Sequence, residues 1–268
     1  MGAGDRHPRV EKNLDFAGPA HDELLRLIDE RSTAFRAAIA AAPGLDAPVP
    51  SCPGWTLRDL AQHLGEGRRA WAATVAAGPA ATGKLAPLGE ATAPEEREAL
   101  LGWLAESTEL LLAELREAGP DRVCWGWWGK SQTPLTSRGV ARRQVHEISV
   151  HTWDAQLAAG VSEPLPAELA VDCVEEFLSS MCTTTEAWPH EPATADYHAA
   201  EGRSWRNDLS AAGATLVPVP ADATPTAAAH GSASDLALMF YGRFPLDDLK
   251  LDGDRRLFDH LIEWDPER

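Results

Sequence analysis

Apolar residues recur at helical spacing through the first two-thirds of the chain, and the texture changes near residue 190. His21 to about Ala42 places Leu24, Leu25, Leu27, Ile28 and Phe35 on one stripe, which predicts an amphipathic helix. Pro43-Gly44 and the proline-rich run from Pro48 to Gly54 end it. Thr56 with Asp59 three residues on reads as a capping box, with Trp55 just outside as a hydrophobic staple. A second helix then runs from Leu57 to about Ala77, with Leu57, Leu60, Ala61, Leu64 and Trp71 on its apolar face and His63 beside it. A loop rich in Pro, Gly and Ala leads to a third helix, Glu95–Ala118, which Gly119-Pro120 stop. After an aromatic loop containing Trp125, Trp127 and Trp128, a fourth helix spans about Ser137–Ala159. A fifth, Pro166 to about Thr183, buries Leu169, Val174, Phe177 and Leu178.

Beyond Trp188-Pro189 the pattern shortens. Arg203–Leu209, Ala214–Val219, Thr226–His230 and Leu249–Asp252 are strand candidates between Gly, Pro and Asp turns. Helices are expected over Ala233–Tyr241 and near Arg255–Ile262. The fold class is therefore α+β: an N-terminal four-helix bundle over residues 1–165, a connecting helix and linker over 166–189, and a small α+β domain over 190–268.

Composition narrows the function. A formal net charge of −17 argues against nucleic acid or an anionic membrane as partner. There is no run of 18 or more apolar residues to span a bilayer. The N-terminus has no signal-peptide core, and Arg6 stands where a myristoylation motif needs Ser or Thr, so a cytoplasmic location is expected. The four cysteines show no C-x-x-C pair and are expected as free thiols, with Cys173 in the core and Cys52, beside Pro53, possible near a site.

The fourth helix carries the candidate chemistry. Glu147 and His151 are four residues apart and share one helix face. With His63 from the second helix they make a set of two imidazoles and one carboxylate, which holds a divalent metal and leaves positions open for water or substrate. Asp154 follows His151 by three and is placed to orient it, whereas His146 points about 100° away from Glu147. Arg142 and Arg143, a turn earlier, are candidates for binding an anionic cofactor or substrate. No phosphate-cradling loop, nucleophile elbow or dinucleotide fingerprint is present.

Three segments together resemble the mycothiol-dependent maleylpyruvate isomerase family, within the DinB-like superfamily. They are Val49–Gly65 with its Pro-Gly-Trp-Thr and His63, Arg142–Ala155, and Gly231–Arg243 followed by Leu251–Asp254. The resemblance implies a DinB-like bundle with one divalent metal, commonly zinc, on His63, Glu147 and His151. It also implies that Arg243 reaches the active site from the second domain and holds a carboxylate. The Cys124–Pro134 loop with its three tryptophans departs from the family's pattern. The expected activity is isomerisation or S-transfer on a small, carboxylate-bearing electrophile. Mycothiol or a related thiol would act as nucleophile, made a thiolate by the metal. A metal-dependent hydrolase and a non-catalytic thiol- or ligand-binding protein are the alternatives. The expected partners are small molecules, and the chain is expected as a monomer or dimer.

Overall fold

The computed structural model describes residues 18–264. The N-terminal residues read above for targeting signals lie outside this range. Four long helices come first: α1 (His21–Ala41), α2 (Leu57–Ala77), α3 (Arg97–Ala118) and α4 (Ser137–Ala158). They form the expected four-helix bundle, with α1 packed on α4 and α2 on α3. Two buried clusters fill it. One joins Leu24, Ile28, Trp71, Leu111 and Val145, and the other joins Phe35, Leu60, Leu64, Leu104 and Ile148.

Local sequence explains how α2 and α4 are held. The Thr56 hydroxyl accepts from the Asp59 amide at 3.2 Å while Asp59 accepts from the Thr56 amide at 2.9 Å, so two otherwise unpaired donors of the first turn are satisfied. The Thr136 hydroxyl caps α4 by accepting from the Gly139 amide at 3.2 Å. Gly65 lets α2 lie close to α3, because a Cβ there would collide with the Trp103 ring. His63 is thereby carried on a helix whose start and lateral packing are both fixed.

The second half is built on a five-stranded sheet of order β3-β2-β1-β4-β5. Its strands are β1 (Ala193–Ala199), β2 (Ser204–Ser210), β3 (Gly213–Val217), β4 (Ala227–Gly231) and β5 (Lys250–Gly253). β1 and β4 pair in parallel and the other neighbours are antiparallel. Helices α5 (Ala167–Met181), α6 (Ala233–Phe240) and α7 (Arg256–Glu263) complete it. Cys173, Val174 and Leu178 of α5 share one core with Trp205, Leu209, Leu236 and Phe258, so α5 packs as part of this half. Val150 of α4 belongs to the same core and ties the bundle to the sheet layer. The fold is α+β, as the pattern of elements indicates.

The central strand β1 is the element the periodicity did not reveal. Its segment, Ala-Thr-Ala-Asp-Tyr-His-Ala, lacks a β-branched run and acquires its conformation by pairing on both edges. All four cysteines are free, with Cys173 buried as expected. Among the described residues, no helix is long and apolar enough to cross a membrane.

Candidate metal centre and substrate pocket

Glu147 and His151 come from one face of α4 and His63 from the facing turn of α2. One ligating atom from each lies within 4.8 Å of the others. His63 Nε2 is 3.4 Å from Glu147 Oε1, and the two imidazole centroids are 5.2 Å apart. Metal–ligand bonds of about 2.0–2.2 Å need roughly this ligand spacing.

Neighbouring groups orient two of the three. The buried Asp154 carboxylate accepts from His151 Nδ1 at 2.8 Å. A carboxylate held ionised can only accept, so Nδ1 carries the proton and the Nε2 lone pair is left for a ligand. Gln144 donates to Glu147 Oε2 at 3.0 Å, which leaves Oε1 toward His63. Burial would raise the Glu147 carboxyl, but the hydrogen bond from His63 and the Arg143 guanidinium outweigh it and hold it at about 2. The donor set thus offers two imidazole nitrogens and one carboxylate oxygen, and it fits a divalent cation.

Asp154 also serves the other side of the pocket. Besides His151 it accepts from Ser51 Oγ at 2.5 Å, and from Arg243 Nε and Nη2 at 3.1 and 2.8 Å. Burial acts against its charge, yet His151 and Arg243 hold it far below the usual carboxylate range. Arg243, on the turn after α6, is braced further by donating from Nη1 to the Tyr241 carbonyl at 2.6 Å. Cys52 Sγ lies 3.3 Å from Arg243 Nη2, and burial together with Asp154 raises its thiol pKa. Cys52 is therefore a neutral neighbour of the site and no activated nucleophile.

A cavity of about 260 Å³ lies over these groups, lined by His63, Trp127, Arg143, Glu147, Val150, His151, Tyr241 and Arg243. Of the residues the sequence singled out, it unites His63, Glu147, His151, Arg143 and Arg243. Arg143 lines it while donating to Glu176 at 2.9 Å and to the Tyr241 hydroxyl. Arg142 is placed elsewhere. It is buried and paired with Asp172 at 2.7 Å and Glu175 at 3.3 Å across the α4–α5 contact, and it is not among the lining residues. Two adjacent arginines on a helix point about 100° apart, so one reaches the pocket and the other the helix behind. Trp128 is buried in the bundle core and Trp127 lines the pocket, so the aromatic loop serves both packing and site. Cys52, read from the sequence as a neighbour of the site, lies beside Arg243, whereas Ser51 and Tyr241 went unread because their partners lie about 100 positions away in sequence.

Comparison with known proteins bears on this arrangement. The model of the mycothiol maleylpyruvate isomerase N-terminal domain matches residues 25–156, and that of the same family's C-terminal domain matches residues 168–260. The chain belongs to this family. The first span contains His63, Glu147, His151 and Asp154, and the second contains Tyr241 and Arg243. Two solved structures share the family fold: a mycothiol-dependent maleylpyruvate isomerase and a histidine-to-alanine mutant of one. Each is 14% identical with a TM-score of 0.57, over 88% of this chain and 95% of the other. No curated protein matches the chain by sequence.

Proposed function

We propose that this family member is a thiol-dependent cis–trans isomerase of a small, carboxylate-bearing unsaturated electrophile, with His63, Glu147 and His151 as ligands of a divalent metal, zinc by preference. The observation that carries the proposal is the clustering of His63, Glu147 and His151, with His151 and Arg243 both held by one buried carboxylate, Asp154. The metal, when bound, would hold the sulfur of mycothiol or a related thiol as a thiolate at neutral pH and so supply the nucleophile.

The chain's own groups then have separable tasks. His63 and His151 offer ring nitrogens and Glu147 the one carboxylate of the set, so a divalent ion held there would keep a net positive charge for a sulfur anion. Asp154 keeps the proton of His151 on Nδ1, so the imidazole stays a ligand and takes no part as an acid. Arg243 and Arg143 place positive charge on the pocket wall, where a substrate carboxylate is oriented against a fixed guanidinium. Trp127 adds an aromatic face to the pocket wall. In such an isomerisation the thiolate would add to the unsaturated carbon and be expelled again after rotation about the resulting single bond, with no net proton change, which suits a pocket whose carboxylates are both held ionised.

Metal content by mass spectrometry tests the ligand assignment independently of turnover. The purified chain is expected to hold about one divalent ion, and His63→Ala and His151→Ala are each expected to lose most of it with the helical spectrum intact. Full occupancy in both variants would refute the site. Assay of unsaturated keto acids with and without added thiol then separates thiol-dependent isomerisation from metal hydrolysis.

A further inference from the structure

A second cavity, of about 650 Å³, lies between α5, α6, α7 and the turn that carries Arg243. Its wall is unlike the rest of the molecule. Four of the chain's six phenylalanines, Phe177, Phe240, Phe244 and Phe258, line it, as do both methionines beyond Met1, Met181 and Met239. Protein interiors are close-packed, and few voids exceed the size of a water molecule. A chamber this large, walled by aromatic rings and adaptable thioethers, has the dimensions and lining of a ligand pocket. At its rim Met181 and Ile262 are 40% and 74% exposed, so apolar surface continues outward to solvent.

Polar groups in the wall are few. Thr184 and Tyr197 contribute hydroxyls and Trp264 an indole N–H, and burial pushes the Cys182 thiol up to about 12, so that side chain is neutral. Among the described residues Arg243 is the one charged residue lining the chamber, and it also lines the metal-site pocket. A molecule with an anionic head at Arg243 can therefore place its body on the apolar side.

We propose that this chamber binds the apolar body of a carboxylic acid, a medium-chain aliphatic or aryl acid, with the carboxylate at Arg243. That such an acid is the electrophile rests on the proposed function, but its binding does not. The chamber extends the substrate class from compact acids to acids with an apolar substituent.

The test uses the full chain labelled with ¹³C at the methionine methyls. Saturated, unreactive acids from hexanoate to decanoate are titrated, with acetate and octanol as controls. Met181 and Met239 signals are expected to shift, and affinity to rise up to about fourfold per methylene. His63→Ala is expected to bind octanoate as the parent does. Leu261→Trp, which fills the chamber from α7, is expected to weaken octanoate at least tenfold, and Arg243→Gln to remove the preference for octanoate over octanol. Unmoved methionine signals in the parent protein, or affinity independent of chain length, would overturn the proposal even if Leu261→Trp fails to fold. Binding as described without turnover of any electrophile would sink the isomerase reading and leave the chamber standing.

Discussion

Asp154 is the side chain that joins His151, one of the proposed metal ligands, to Arg243, the arginine proposed to hold a carboxylate. It is fully buried, and its two oxygens take donors from Ser51, His151 and Arg243. Asp154→Asn keeps the shape but removes the charge and gives the amide donors of its own. Outer partners of ligating histidines are typically worth about 10–100-fold in metal affinity. Asp154→Asn is expected to weaken metal binding within that range, read by competition with a chromophoric chelator. Unchanged affinity would mean that His151 is oriented by other contacts. At this scale the sequence was informative where geometry is local. Glu147, His151 and Asp154 lie within eight positions on one helix, and helical spacing alone put them together. The pairing of Arg142 with Asp172 and Glu175 was illegible, because nothing in the chain's periodicity says which helix a buried arginine faces.

Between elements, α4 and α5 are joined by a charge cluster that periodicity cannot reveal. Asp172 accepts from Arg142 and lies 2.8 Å from His146 Nε2, both of them buried. Burial would raise the Asp172 carboxyl, but His146 and Arg142 hold it at about 2. Burial would likewise discharge His146, yet the Cys173 and Asp172 side chains keep it protonated up to about 10. The carboxylate's contribution is present above its ordinary pKa of about 3.9 and fades as pH falls toward 2. The imidazolium's contribution is complete below about 6.5 and fades as pH rises through 10. Stability from this cluster therefore peaks between roughly pH 4 and 6.5. Asp172→Asn leaves His146 without its carboxylate and Arg142 with Glu175 at 3.3 Å, and is expected to cost about 3–5 kcal/mol near pH 6. Urea unfolding across pH 3–10 should show a flatter profile in Asp172→Asn than in the parent, and parallel profiles would exclude the cluster as the source. Elements with strong helical periodicity were legible almost to the residue, as α2 shows by running from Leu57 to Ala77. β1 was not, since its strand character comes from two neighbours, β2 at 6 to 16 positions and β4 at 32 positions away.

Across the whole molecule, the site exists only where the two halves meet. α4 contributes Asp154 and the turn after α6 contributes Arg243, 89 positions apart in sequence and both largely buried. Removing one member of such a pair strands the other charge, which typically costs about 3–5 kcal/mol, whereas removing both leaves no unpaired charge. Asp154→Asn and Arg243→Gln are therefore expected to be strongly non-additive. The double variant should be more stable than the sum of the single losses implies, by an interaction energy of about 1–3 kcal/mol in urea unfolding. Independence would mean that the bundle and the sheet layer carry their parts of the site separately, and that Arg243 is free to swing with its turn. Coupling would mean that the guanidinium is fixed relative to the metal ligands before substrate arrives. Orientation of a substrate carboxylate requires that fixed reference, because an arginine that must first be ordered spends binding energy on its own rotamers.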